Sequence, residues 1–189
     1  MIVMPTIIEK SPNGHERWID IPSKLYTQRI VMLVDEVSED SSSVVIAQLL
    51  YLDSQSHEDI NLIIKSPGGS IVDGLAIYDV IKNLKSKVNT VCYGMCASMG
   101  AFLLSSGTGK RKASVSSRIM LHSLSGGTRG KIEDMRIDHK ESEYLQAYLN
   151  KILAKNCDKT IAKIKKDCNR DFWMSAEDAV EYGLIDEII

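Results

Sequence analysis

The sequence predicts an α/β protein with largely parallel strands, and three stretches carry that prediction. Ile60 to Ile64 is a continuous apolar run of strand length. Ser66-Pro67-Gly68-Gly69-Ser70 breaks it, and Val72, Ala76, Val80 and Leu84 then recur at helical spacing. The same order returns with a strand from Val88 to Tyr93 and a compact helix-forming run from Ser98 to Ser106, and Arg118 to His122 reads as a further strand. Strands that alternate with helices pair in parallel, because each helix carries the chain back to the same end of the sheet.

In chain order, Met1 to Arg17 holds Pro5, Pro12 and Gly14 without sustained periodicity and reads as an irregular or mobile arm. Arg29 to Val34 is the first clear strand. Ser41 to Leu52 follows as a helix with Val45, Leu49 and Leu52 on one face. Gly94 supplies the freedom for a sharp corner after Tyr93, which places Ser98 in the first turn of the next helix. The Gly-rich segment Ser123 to Lys131 is a flexible-loop candidate. Ile132 to Asn156 is a long helix whose stripe (Ile132, Met135, His139, Ser142, Leu145, Leu149, Ile152, Asn156) is only partly apolar. It is therefore expected to protrude and to pack against something other than its own core. Asp158 is a candidate cap for a helix from Lys159 to Lys166. Ser175 with Asp178 forms a capping box opening Ala176 to Tyr182, which Gly183 ends.

A chain of 189 residues, 44% hydrophobic, is long enough for one well-buried core and too short for two independent ones. No linker or low-complexity tract divides it. A formal charge of -2 and a pI near 6.1 give no electrostatic footprint for nucleic acid or an anionic membrane, and Lys110-Arg111-Lys112 reads as a solvated loop. The near-apolar run from Val91 to Leu104 is too short to span a bilayer. The N-terminus lacks the basic flank and long apolar core of a secretion signal, so an intracellular, cytoplasmic location is expected. Cys92, Cys96, Cys157 and Cys168 show no metal-ligand spacing and are expected to be buried thiols, with no cofactor held by this chain.

Ser98 is the candidate nucleophile. At a helix N-terminus, unpaired N–H groups and the positive end of the dipole stabilise developing negative charge. The competing reading is a plain N-cap, and Cys96-Ala97-Ser98-Met99-Gly100 departs from the G-x-S-x-G elbow at its first position. A serine nucleophile needs a base. Among the histidines only His122 ends an apolar strand, where α/β sheets build sites; His15, His57 and His139 lie in polar surroundings. Asp171, beside Phe172 and Trp173, is a candidate orienting acid through partial desolvation, with a surface ion pair to Arg170 as the alternative. Gly68 and Gly69 fit no nucleotide-binding loop. They offer close backbone approach and N–H groups suited to an oxyanion donor or to pairing with an extended peptide, as against a simple strand-to-helix turn.

Taken together, PTIIE, SPGGS with DGLAIYDVI, GMCASMGAFLLSSG, IMLH, SGGTRG and NRDFWMSAEDAVEYGLIDE resemble, in order and spacing, the proteolytic subunit of the ATP-dependent Clp protease, the ClpP family of serine peptidases. The resemblance implies a crotonase-like α/β spiral of strand-turn-helix units with a protruding long helix. The whole chain would then be one peptidase domain, with an arm over residues 1–17, a head from 18–122 and 157–189, and a handle from 123–156. It further implies Ser98 as nucleophile, His122 as general base, Asp171 as the acid, and the Gly68 and Met99 N–H groups as oxyanion hole. Substrate would add as a strand between the Gly68 to Ile71 edge, with Gly69, Ser70 and Ile71, and the segment after His122, with Leu124. Two stacked heptameric rings would close a chamber, fed with unfolded polypeptide by an AAA+ unfoldase of the ClpX, ClpA or ClpC type that uses the ATP.

Some positions depart from the family pattern. His122-Ser123-Leu124 stands where the family commonly has His-Gln-Pro. Asn169 precedes Arg170 where a carboxylate is usual for ring-to-ring pairing. Asn61 and Ile63 replace tyrosines of the unfoldase-docking pocket, and the Lys110 to Ala113 loop is shortened and lacks an aromatic. These departures motivate the expectation of a divergent paralogue working in a mixed complex with a second ClpP. The alternatives are a conditionally active or structural ring subunit, and a crotonase-type acyl-CoA enzyme on the same fold.

Overall fold

The computed structural model describes residues 5–10 and 13–189. Two short strands, β1 (Thr6–Lys10) and β2 (Glu16–Asp20), pair antiparallel with Thr6 opposite Asp20 and Lys10 opposite Glu16. The described part of the predicted irregular arm is therefore a hairpin; its residues 1–4, 11 and 12 lie outside the described residues. Both strands are largely exposed, so neither carries the apolar alternation by which a half-buried strand is read from sequence. A helix that the periodicity missed follows directly: α1 (Ile21–Thr27), capped by Asp20 accepting from Ser23 N–H at 2.7 Å and opened by Pro22.

The central sheet is built from β3 (Ile30–Val34), β4 (Ile60–Ser66), β5 (Val88–Ala97), β6 (Arg111–Ala113), β7 (Arg118–Leu121), β8 (Phe172–Met174) and β9 (Glu187–Ile188). Its strand path is β3-β4-β5-β6-β9, all parallel; β7 joins β5 in parallel further along, and β8 pairs antiparallel with β7. The helices are α2 (Glu39–Gln55), α3 (Ile71–Asn83), α4 (Met99–Leu104), α5 (Ile132–Asn156), α6 (Ile161–Asp167) and α7 (Ala176–Tyr182). The mixed α/β class with parallel pairing is thus as the strand-turn-helix order predicts.

Strand β5 organises the sheet. Thr90 to Cys92 pair with β6, whereas Met95 to Ala97 pair with β7, and Gly94 (φ 80°) sits between the two ladders. The corner expected at Gly94 is therefore a mid-strand bend, and the strand runs on to Ala97. A second correction falls at Lys110-Arg111-Lys112, where Arg111 and Lys112 belong to β6. The Arg111 guanidinium bonds the Asn156 and Gly183 carbonyls at 2.8 and 3.0 Å and Asp186 Oδ1 at 2.5 Å, so it ties the ends of α5 and α7 to β9 instead of facing solvent. A third is Asp158, which takes a left-handed backbone (φ 51°) while Thr160 caps α6. The Ser175–Asp178 capping box and the left-handed Gly183 (φ 82°) frame α7 as expected.

The core joins the buried face of β4 (Ile60, Leu62, Ile64) and the neighbouring strands to the apolar stripes of α2 and α3 and to α4, through Leu33, Leu49, Leu62, Ile64, Ile77 and Leu103. Helix α5 divides in two. Leu149, Ile152, Leu153 and Ala154 are buried, while residues 131–141 are exposed all round. All four cysteines are free and buried. Among the described residues no helix is long and apolar enough to cross a membrane.

Candidate active site

Ser98 lies between β5 and α4 with φ 54° and ψ -123°, a backbone region that L-residues avoid. The chain reaches it because β5 is held in the sheet up to Ala97 and α4 starts at Met99, leaving one residue for the reversal. Two bonds pin that residue. Ser98 N–H donates to the Met120 carbonyl at 2.8 Å, and the Ser98 carbonyl accepts from Phe102 N–H at 3.0 Å. Its hydroxyl makes no cap hydrogen bond to α4 and instead meets His122 Nε2 at 2.8 Å. The plain N-cap reading is thereby excluded.

Sheet register explains why His122 is there. Ala97 pairs with Met120, so Ser98 is level with Leu121 and His122 follows one residue on, just past the end of β7. Ser123 N–H donates to the Cys168 carbonyl at 2.6 Å, which fixes the chain on the far side of the imidazole. The third residue follows from the antiparallel ladder: Leu121 pairs with Phe172, so Asp171 falls opposite His122 one step beyond it. Asp171 Oδ1 is 4.0 Å from His122 Nδ1, beyond hydrogen-bond length, and its side chain is 64% exposed. The expected desolvation by Phe172 and Trp173 does not occur. Phe172 packs on Tyr182, with ring centres 5.3 Å apart, and Trp173 faces outward under Arg118.

The Ser66 to Ser70 turn abuts the serine. A Cβ on Gly68 (φ +102°) would come within 2.6 Å of Ser98 Cβ and 3.0 Å of Met99 N, so only glycine lets the two backbones approach this closely. Met99 is the first residue of α4, and its N–H is among those a helix leaves unpaired internally. The Gly68 N–H donates to the buried Ser66 hydroxyl at 3.1 Å. On its other side the turn is paired in parallel with Val37: the Gly68 carbonyl accepts from Val37 N–H at 2.7 Å, and Ser70 N–H donates to the Val37 carbonyl at 2.8 Å. Gly69's own N–H and C=O then point the opposite way. Ser70 caps α3 and Ile71 is its first residue, so the extended edge is shorter than the predicted Gly68 to Ile71 span.

Beside Ser98 and His122 is a cavity of about 40 Å³, walled by Ile71, Met99, Phe102, Leu121 and Leu124. Leu124 is held from α5, where Gln146 Oε1 accepts its N–H and Gln146 Nε2 donates to Asn150 Oδ1 at 3.0 Å. Reading the sequence for chemistry passes over Gln146, Asn150 and Ser66. The visible signal for the first two is the four-residue spacing of two amides on one helix face. Asn169 and Arg170 are exposed in the turn between α6 and β8, immediately before Asp171. His57 and His139 lie apart from the site, each about half exposed or more and facing Asp53 and Glu143. Among the described residues no cluster of three or more His, Cys, Asp or Glu is placed to hold a metal.

A serine in a strained corner, hydrogen-bonded to an imidazole and facing an apolar cavity, is an arrangement suited to acyl transfer. The family model described as Clp protease matches residues 13–189, nearly the whole chain. The chain therefore belongs to the Clp protease family and is a ClpP-type serine peptidase.

Proposed function

We propose that Ser98, His122 and Asp171 form the catalytic triad of this peptidase, and the observation that carries the reading is the 2.8 Å contact between Ser98 Oγ and His122 Nε2 at a backbone held at φ 54°. Ser98 Oγ attacks the scissile carbonyl while His122 Nε2 takes its proton. The tetrahedral oxyanion is met by the N–H groups of Met99 and Gly68, the latter turning from the Ser66 hydroxyl to the substrate. Collapse breaks the C–N bond, His122 returns the proton to the leaving amine, and water then hydrolyses the acyl-enzyme by the same route. Asp171 orients the imidazole, closing the 4.0 Å gap on its Nδ1 when substrate is bound.

Substrate lies extended between Gly69, whose free side is directed away from Val37, and the segment that begins at Ser123. It places an apolar side chain in the cavity beside Leu124, with Ser70 and Ile71 at its rim. At the level of the whole molecule the proposal is a crotonase-like spiral. Its head comprises residues 18–122 and 157–189, residues 123–156 form a handle, and residues 1–17 an N-terminal arm. Handles interlock two stacked heptameric rings, with Asn169 and Arg170 at the ring-to-ring contact. An AAA+ unfoldase of the ClpX, ClpA or ClpC type delivers unfolded polypeptide to the cytoplasmic chamber and spends the ATP, so this chain needs no cofactor. The exposed half of α5 supports that reading, and the substitutions at Asn61, Ile63 and Asn169 support partnership with a second ClpP paralogue.

The test is covalent labelling with a fluorophosphonate, read by intact mass, with Ser98→Ala as control. Wild-type protein is expected to gain one adduct and Ser98→Ala none, and peptidase activity is expected to fall by about four orders of magnitude or more in the variant. Equal labelling of both proteins removes Ser98 as nucleophile.

A further inference from the structure

Two N–H groups follow His122 along the chain, and both are already satisfied inside the molecule. Ser123 donates to the Cys168 carbonyl, a backbone partner, whereas Leu124 donates to a side chain, Gln146 Oε1, on a different element. Gln146 is not free to wander. Its amide nitrogen is bonded at 3.0 Å to Asn150 Oδ1 one helical turn on, and Asn150 is only 3% exposed. The contact therefore runs from the half-buried rim of α5 to a buried anchor.

The position of this contact gives it a consequence for the site. Gln146 and Leu124 line the 40 Å³ cavity beside Ser98 on one side and an open groove of about 1020 Å³ on the other. Between them stand Ser123, Leu124 and Gln146, and Leu124 lies in a segment with no regular secondary structure, close to Gly126 and Gly127. Such a segment has no ladder of its own to keep it in place. Between a cavity the size of a small side chain and a wide groove, Leu124 is fastened to α5 by the hydrogen bond its N–H donates to Gln146 Oε1.

Resting on the triad reading above, we infer that Gln146 is a positioning residue that sets substrate specificity. By holding Leu124 N–H it fixes the wall of the pocket that takes the side chain preceding the scissile bond, and so selects small apolar side chains there over large ones. Gln146 lines that pocket too but hydrogen-bonds neither Ser98 nor His122, and it sets the wall through Leu124. Discrimination in an apolar pocket is worth roughly tenfold to a few hundredfold, which is the scale that loss of a wall can erase.

The experiment uses the full-length chain and two peptidyl phosphonate probes that differ only in the reacting residue's side chain, alanine-like against phenylalanine-like, with labelling rates read by intact mass. Gln146→Leu keeps the side chain's size and removes the acceptor. Gln146→Glu keeps an acceptor for Leu124 N–H, and Asn150 can donate to it by turning its amide. Hydrogen exchange of the peptide covering residues 123–131 is measured in parallel. The wild type is expected to favour the alanine-like probe. Gln146→Leu is expected to shrink that preference by about tenfold and to speed exchange at Leu124, while Gln146→Glu stays near wild type in both. Faster exchange with an unchanged probe ratio makes Gln146 merely structural and overturns the inference. Unchanged exchange in Gln146→Leu overturns it as well, at the level of the contact. A wild-type protein that labels with neither probe, nor with a fluorophosphonate, overturns the triad reading and with it the pocket's role, and is told apart from the other two outcomes by that general probe.

Discussion

At the residue scale, the hydrogen bond from Ser98 to His122 and the gap from His122 to Asp171 set different demands on the two halves of the relay. The first is complete at 2.8 Å, with His122 largely enclosed; the second is open at 4.0 Å, and its carboxylate is 64% exposed. A charge so exposed is screened, and holding the ring from that distance contributes little in the resting protein. Asp171→Asn is therefore expected to label with a fluorophosphonate at a reduced but measurable rate, unlike Ser98→Ala. The check is the labelling time course at fixed probe concentration, and complete loss would mean that the carboxylate closes on the ring in solution. Ser98 and His122 were legible as residue types at strand ends. The exposure of Asp171 was not, because neighbouring aromatics in sequence do not report which way each packs: Phe172 turns toward Tyr182 and Trp173 outward. Nor was the Ser66 hydroxyl on Gly68 N–H, a contact made within a turn whose sequence reads the same with or without it.

At the element scale, legibility followed burial. Helix α2 buries Val45, Leu49 and Leu52, the three positions its spacing predicts, and the α5 range runs from Ile132 to Asn156 as read from sequence. The strands β1, β2, β6, β8 and β9 hold at most one buried residue apiece, so they lack the apolar pattern by which the equally short β3 and β7 are read. What holds the last of them is polar. Burial raises the Asp186 carboxyl, but hydrogen bonds from the Arg111 side chain and backbone, with its charge, outweigh burial and leave it below the ordinary carboxylate value. The sign of the consequence follows from a lowered folded-state value. The stabilisation is fully present above the ordinary, unfolded carboxylate value and is lost as pH falls through the folded one. Asp186→Asn is thus expected to be less stable than wild type at neutral pH and to lose less on acidification below about pH 4. Denaturant midpoints at matched protein concentration across that range check it; parallel curves for the two proteins would show that Asp186 contributes no such linkage.

At the scale of the whole molecule, α5 carries the feature that a single chain does not account for. Its last turns are embedded through Leu149, Ile152 and Leu153, yet Ile132, Ile137 and Tyr144 are each more than 60% exposed, and every residue from 131 to 141 faces solvent. Large apolar side chains exposed on a protruding helix are candidates for an interaction surface. The partly apolar stripe read from the sequence anticipated the protrusion, since a helix without a continuous apolar face cannot be wholly buried in its own core. Under the ring assembly proposed above, what covers it lies in another chain and is not written in the periodicity of one. If handles from opposed rings pack on this half of α5, a carboxylate at Ile137 would be buried there without a partner, which is strongly unfavourable. Ile137→Asp is accordingly expected to weaken association by at least about tenfold and to move the protein to a smaller species in sedimentation velocity. Its far-UV circular dichroism should match wild type, because Ile137 makes no part of the core. An unchanged sedimentation coefficient across a dilution series would remove this face from the ring-to-ring contact and leave the handle's apolar residues to some other partner.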